Sequence, residues 1–523
     1  MTKLADYVVN QFRGLNLDID ASNVDDSEFV TLTNMYIDTA GTLVLREGTI
    51  DYQVSDGLAK STIFIDIASS TTTLEIVNNS GSGVIQVFLT QLNPTVLASS
   101  SSFAWEPYGG FSYNSVYYLL TTSGIYSVNL TTAVPTLVYS SVILAPGCLY
   151  KDRYFGFNGN TVYYSEVGNV VSYPAANFFK VQDELNEVIT GIIPIAGDRL
   201  LIFKRKSIYI LFAADADPAT WELKFLSGTA GTLSSHTLAE YKGSVFFLGA
   251  EGMYRTDGVN VVPISTNLNN AFTNATQYAG RQPAPQAGYG LGVQGYFGVV
   301  YQDFYLCTTA QGTFCYNIVN DTWSLWVFGS GGASYFTKSS EKSNTNILYF
   351  ISGGGGSSTR STLLGYTTSR NHGSAATYPQ NIPCQYRDGV KRAWVTGDPN
   401  SVVANSYAYT ATLKSKDINL GSNTYFKRFK NIIFSVIGYC SLSYVNNTDG
   451  AQNYTTPTTP NIARAVKFKI FSYRKSTNFT LTITPTLVTP NGDVDYPDGP
   501  PDFALLDYTI KTSAKDYVVK QVT

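Results

Sequence analysis

The stretch "DRLLIFKRKSIYIL", Asp198 to Leu211, sets two apolar runs around the residues FKRK, of which Lys204, Arg205 and Lys206 are basic. Two readings compete. Three adjacent cations make a contact for a polyanion or a neighbouring subunit. A few polar residues between two strand-forming runs also make the tip of a β-hairpin. The choice decides whether the segment marks a binding surface or one unit of a repeated fold.

The segment has relatives along the chain. Residues 114–129 read NSVYYLLTTSGIYSVN, 152–167 DRYFGFNGNTVYYSEV, 243–258 GSVFFLGAEGMYRTDG and 303–318 DFYLCTTAQGTFCYNI, and 344–351 read NTNILYFI. Each has a polar start, four or five apolar residues, a short turn and a second strand rich in Tyr or Ile. With 198 in place, the starts at 114, 152, 198, 243, 303 and 344 are 38, 46, 45, 60 and 41 residues apart. A period of about 40–50 residues with several short strands per unit is the pattern of a β-propeller. Counting STIFIDIA and GVIQVFLT as an earlier unit, the spacing predicts six or seven blades over residues 61–380. FKRK falls where the sibling hairpins carry TTSG, FNGN, GAEG and TAQG, so it reads as an exposed turn.

Composition agrees with an all-β chain. Of 523 residues only 14% are charged, against about 25% in ordinary soluble domains. There are 38 Tyr, 29 Phe and 44 Gly but only 3 Met, and strand and turn formers replace helix formers. The net charge of −3 gives no basic excess of the kind that draws a protein to nucleic acid. The segment MTKLADYVVNQFRG has no apolar core of signal-peptide length, and no apolar run is long enough for a membrane span. The expectation is a chain made in the cytosol of its producing cell, without membrane insertion. Five cysteines without a CxxC and two histidines, His236 and His372, argue against a zinc site. A hairpin turning at Ala310–Gly312 would set Cys307 opposite Cys315, and both are expected as reduced thiols.

Three regions depart from the repeat. STNLNNAFTNATQYAGRQPAPQ, inside the longest interval, predicts a short helix capped by Ser265 or Thr266 and carrying Leu268 and Phe272, ended by Pro283 and Pro285. Residues 381–523 hold longer alternating runs. In AVKFKIFSYRKS, Val466, Phe468 and Ile470 face one way and Lys467 and Lys469 the other, as in a sheet with one wet face. This predicts a C-terminal β-sandwich, with Lys467 and Lys469 as a second candidate contact for a polyanion or subunit. Residues 1–60 predict an N-terminal arm. Asp25 and Glu28 have capping-box spacing for a short helix with Phe29 and Leu32 on its apolar face, and MYIDTAGTLVLREG is a hairpin turning at Asp38–Gly41.

Within that arm, FRGLN (Phe12 to Asn16), then Glu28, Asn34, Gly41 and Leu-x-x-Arg-x-Gly (Leu43, Arg46, Gly48) resemble the opening of a family of bacteriophage virion proteins. These are the propeller-bearing nozzle, hub or packaged-DNA-stabilising proteins of short-tailed phages. ITGIIPIAGDRLLIFKRKSIYIL and GTLSSHTLAEYKGSVFFLGAEGMYRTDG are similar to their blades, and ATLKSKDINLGSNTYFKRFKNIIFSV to their C-terminal sandwich, in the same order. Leu15 stands where the family's second glycine is usual. The resemblance implies a structural part of the virion tail, made in the host bacterial cytoplasm. It implies a homo-oligomer, a hexameric ring below the tail adaptor and beside tail fibre or tailspike proteins, through whose channel packaged double-stranded DNA passes. It implies no catalysis and no cofactor.

Enzymatic signatures are incomplete. GLGVQG (Gly290, Gly292, Gly295) matches GxGxxG but is followed by strand residues rather than a helix. DIDASNVDDSEF lacks the Gly and terminal Glu of a calcium loop. NDTWSLW (Asn320 to Trp326) is a single approach to the repeated boxes of sialidase propellers. Asp183, Glu184, Asp215 and Asp217 are the candidate acids of a hydrolase. His236 reads as a strand-edge histidine. The alternative function is a glycan-binding or receptor-binding propeller, with Trp105 and Tyr108 offered for stacking on sugars.

Overall fold

The computed structural model describes residues 7–46, 61–99, 107–268, 296–352 and separate strands between 371 and 514, with short breaks inside each range. The chain is all-β. Five short strands come first: β1 (Tyr7–Val9), β2 (Gly14–Leu15), β3 (Glu28–Thr33), β4 (Met35–Ile37) and β5 (Leu43–Leu45).

Six four-stranded antiparallel meanders follow. The first has Ser61–Ile67, Thr72–Asn79, Ser82–Leu89 and Val96–Ser99 (β6–β9), and the second Pro107–Tyr113, Val116–Thr121, Gly124–Val128 and Pro135–Tyr139 (β10–β13). The third has Ala145–Tyr150, Arg153–Asn158, Thr161–Tyr164 and Phe178–Lys180 (β14–β17), and the fourth Ile189–Ile195, Arg199–Lys204, Ile208–Phe212 and Glu222–Ser227 (β18–β21). The fifth has Ala239–Tyr241, Ser244–Leu248, Met253–Thr256 and Val261–Pro263 (β22–β25), and the sixth Phe297–Tyr301, Phe304–Thr309, Gly312–Asn317 and Thr322–Trp326 (β26–β29). A seventh sheet pairs Ala333–Phe336 (β30) and Ile347–Ser352 (β31) with Ile382–Arg387 (β33), while Asn371–His372 (β32) pairs with Tyr407–Ala408 (β34).

The first strand of each sheet lies against the first strand of the next, from β6 through β10, β14, β18, β22 and β26 to β30, and β31 and β33 lie against β6. The succession thus returns to its start. Local chemistry explains the regularity. The first hairpins of the second, third and fifth sheets turn on Asn114–Ser115, Lys151–Asp152 and Lys242–Gly243, all with positive φ. Two-residue turns of that hand match the right-handed twist of the strands they join. On the same side of the molecule, neighbouring sheets are tied by Lys151 to Asp198 at 2.9 Å and Lys242 to Asp303 at 3.4 Å. Arg153 Nη2 also donates to the Ala216 carbonyl at 3.0 Å, reaching from the third sheet into the fourth.

Seven strands complete the chain: β35 (Thr412–Ser415), β36 (Lys427–Gly438), β37 (Cys440–Asn446), β38 (Gly450–Thr455), β39 (Val466–Ser476), β40 (Phe479–Pro485) and β41 (Phe503–Ala514). They form two sheets together with the N-terminal strands. One runs β39-β36-β41-β5-β4, with β1 also on β41; the other extends the sixth meander as β29-β2-β3-β35-β40-β37-β38. Ile432, Phe434, Tyr508 and Ile510 of the first sheet share one buried core with Leu413, Leu442, Leu481 and Ile483 of the second. That core continues into the fifth and sixth meanders through Phe246, Tyr305 and Trp323.

The expected N-terminal helix is absent. Half of its capping box exists: the Asp25 amide donates to Glu28 Oε2 at 2.9 Å, while Asp25 Oδ1 accepts from the Ser27 amide at 2.9 Å and the Glu28 amide donates to the Asp25 carbonyl at 3.0 Å. They close a turn that feeds β3, because EFVTLT finds strand partners in β2 and β35. Pairing on both edges outweighs a local helix start. The hairpin turning at Asp38–Gly41 is present, with Asp38 Oδ1 accepting from the amides of Ala40 at 2.9 Å and Thr42 at 2.8 Å. Of the second expected helix the described residues show a 3-10 turn, Thr266–Leu268, and a helical Ala271; Phe272 lies outside the described residues.

Candidate functional site

FKRK divides at its first cation. Lys204 is the last residue of β19 and is fully buried, its ammonium over the Tyr209 ring at 5.6 Å. Only Arg205 and Lys206 are exposed. The turn closes with the Lys204 amide donating to the Ser207 carbonyl at 2.8 Å. It is held from outside as well, because the Thr232 amide donates to the Lys204 carbonyl at 3.0 Å. Gly231 permits this approach: a Cβ there would sit 2.1 Å from the Lys204 oxygen. The Lys206 amide is also engaged, by Glu187 Oε2 at 3.2 Å. The three-cation exposed turn is therefore a correction: two cations face solvent, and the backbone beneath them is pinned between meanders.

Lys467 and Lys469 lie in β39, across from Ser435 and Ile433 of β36. They belong to a different sheet from the FKRK turn. Val466, Phe468 and Ile470 stand across from Val436, Phe434 and Ile432, three buried residues.

The residues of the N-terminal signature converge on one place, the seam between the sixth meander and the C-terminal sheets. Gly14, at φ +86°, pairs in parallel with Trp323 of β29 and with Glu28 of β3. A Cβ at Gly14 would come within 2.7 Å of the Trp323 oxygen, so only glycine fits. Glu28, almost fully buried, accepts from Asn16 Nδ2 at 2.7 Å and Asn267 Nδ2 at 3.2 Å besides the Asp25 amide. Asn34 adopts φ 56° between β3 and β4. Its amide donates to the Leu325 carbonyl at 2.8 Å, and its Oδ1 accepts from the Val327 amide at 2.8 Å and from Arg46 Nε at 2.8 Å. Arg46 is fully buried and donates through Nη2 to the Val327 carbonyl at 2.9 Å. Gly48 lies outside the described residues. The "NDTW" box serves the same seam. Asn320 Nδ2 donates to the Asp38 carbonyl at 2.7 Å, Asn317 Nδ2 to the Ile37 carbonyl at 2.9 Å, and Trp323 Nε1 to the Ile264 carbonyl at 2.8 Å. Across the seam Lys416, mostly buried, meets Asp26 at 2.6 Å.

The remaining candidates take structural roles or lie outside the described residues. Asp217 caps a short 3-10 turn through the Ala219 amide at 2.9 Å. His236 is buried rather than at a strand edge: it sits on the 3-10 turn Ser235–Thr237, its ring 5.2 Å from that of Phe297. Among the described residues no group of three or more His, Cys, Asp or Glu is placed to hold a metal. Cys307 and Cys315 are free and buried, and they are not opposite each other. The register sets Cys307 against Phe314 and Cys315 against Leu306, on opposite faces of the sheet. Burial pushes the Cys307 thiol up to about 12. Asp183, Glu184, Trp105 and the glycines of GLGVQG fall outside the described residues, and the strand expected after GLGVQG is β26.

No family model matches the chain, and no curated protein does. Among solved structures, it is similar to the PorZ component of the type-IX secretion system of Porphyromonas gingivalis at 12% identity and TM-score 0.35. That match covers 57% of this chain and 36% of the other, so the chain spans about a third of that protein's length. A WD40 domain of Neurospora crassa matches at 8% identity and TM-score 0.35, over 56% of this chain and 86% of that one. The extracellular domain of a one-component system from B. thetaiotaomicron matches at 9% identity and TM-score 0.39, over 94% and 64%.

Proposed function

We propose that this chain is a structural virion protein of a short-tailed bacteriophage: a seven-bladed propeller joined to a C-terminal sandwich, assembled as a homo-oligomeric ring of the tail nozzle or hub. The observation that carries the reading is the seam. The signature residues Gly14, Glu28, Asn34 and Arg46, scattered over 33 positions of sequence, interlock in one place and clamp two sheet systems together. A string of chance matches has no reason to be physically coherent. A part of this kind is a rigid spacer. Its ring position below the tail adaptor, and the passage of double-stranded DNA through it, rest on the family resemblance. Two exposed cations at the FKRK turn, on a chain of net charge −3, suit a surface that does not grip phosphate strongly.

The test is mass photometry of the purified protein, alone and mixed with fractions of disrupted virions. A species near six times 57.0 kDa, or incorporation into an adaptor-containing particle, is expected. Monomers under every condition, together with binding on a glycan array, would overturn the reading in favour of a receptor-binding propeller.

A further inference from the structure

Charge is distributed unevenly along this chain. It has 35 Lys and Arg and 38 Asp and Glu, yet residues 76–150 contain a single charged side chain, Glu106. That span covers most of the first meander and all of the second.

The outer strands of the meanders differ in what protects their open edges. β17 ends in exposed Lys180. β21 carries exposed Glu222 and Lys224, which pair at 2.8 Å. β25 ends in Pro263. β29 is covered by β2 and β3. Charges, prolines and covering strands are the usual means of stopping an edge from pairing with another chain. β13 has only Pro135, at its first position. Leu137 is 47% exposed and Val138 37%, flanked by Val134 at 51% and Ile143 at 45%. Among the described residues no strand pairs with its outer side.

We propose that the outer edge of the second meander, β13 with Val134 and Ile143, is a contact surface for a second copy of this chain. The charge pattern selects the occupant. An edge without charge is matched by a surface without charge, since a partner's ion buried there would lose its water and gain no counter-ion. The chain supplies such a surface within its own residues 76–150, whose one charge is Glu106 and where Leu97 on β9 is also 48% exposed. Leu and Val side chains then leave water without burying an ion. This inference concerns the contact face, and it rests on the ring reading only in expecting the assembly to contain copies of this chain.

The test compares wild type with Leu137→Lys and Val138→Lys by sedimentation velocity over a concentration series. Both positions are half exposed, so circular dichroism should be unchanged. Phe225→Lys, on the guarded strand β21 and 62% exposed, is the control. Wild type and Phe225→Lys should associate to at least twice 57.0 kDa, while either β13 variant stays at 57.0 kDa. A wild type that remains monomeric on its own overturns the inference, while incorporation into virion fractions still decides the proposed function separately. Assembly of the β13 variants equal to wild type also overturns it and leaves a ring built through another face.

Discussion

Replacing Asn34 by alanine is the sharpest challenge to the seam. The side chain's Oδ1 accepts from the Val327 amide and from Arg46 Nε, both at 2.8 Å, and the residue holds φ 56°. Alanine removes the acceptor and leaves two donors, one of them charged, facing a methyl group. Each buried donor so orphaned costs about 1–3 kcal/mol. The left-handed backbone adds about 1 kcal/mol for a residue with a Cβ and no local hydrogen bond. The sum is about 3–7 kcal/mol, at or beyond the edge of what single substitutions do. Asn34→Gly separates the contributions, because glycine accepts the positive φ and lacks only the acceptor, so it should fall between the two. Trp323 and Trp326 flank the seam in β29, so denaturant unfolding followed by tryptophan fluorescence reads the right place. Hydrogen exchange over residues 28–46 should rise in parallel. If Asn34→Ala unfolds within about 1 kcal/mol of wild type, or if glycine restores full stability, the clamp is not what holds the seam.

Gly14→Ala should cost roughly 3 kcal/mol by forcing Cβ against the Trp323 backbone, visible in the same fluorescence assay. Arg205→Glu with Lys206→Glu should change stability by no more than about 0.5 kcal/mol, whereas Lys204→Glu, at a fully buried position, should unfold the fourth meander's hairpin, as exchange of residues 199–212 would report. In native protein at pH 8, Cys307 and Cys440, both pushed up to about 12 by burial, should resist iodoacetamide while half-buried Cys148 reacts first, with mass spectrometry locating the label. Asp25 is held below its ordinary 3.8, chiefly by the Ser27 amide. Its contribution is therefore present above 3.8 and lost as pH falls through the lower folded value; Asp25→Asn should flatten the acid limb of the stability curve.

The meanders were legible because each carries its own turn chemistry and its own pair of strand-forming runs. The seam was not, because its logic is long-range. Asp25 and Glu28 make the hydrogen bonds of a helix start, and nothing local reveals that Glu28–Thr33 will be captured on both edges by strands elsewhere in the chain. The cysteines show how fine the margin is. A turn centred on Gln311 would have set Cys307 against Cys315; the actual register pairs Thr309 with Gly312, and that one-residue slip sends the thiols to opposite faces. Lys204 shares a basic run with two exposed neighbours, and nothing local reveals that its ammonium is buried over the Tyr209 ring or that Gly231 closes on its carbonyl. Asn34 and Arg46 stood out only through the family resemblance, since neither composition nor periodicity singles out a buried polar pair.

The strands β2 and β3 sit between partners made long after them, with 293 residues separating Asn34 from Val327. During synthesis they leave the ribosome with neither outer partner, β29 nor β35, available, and those edges wait exposed while the meanders form. Contacts of such sequence separation are slow to close and leave an apolar segment open to wrong pairings in the interval. Assembly of the seam should therefore be the late, rate-limiting phase of folding. Variants at Gly14 or Asn34 should then show first as poor soluble yield, before any loss is measured in the finished protein.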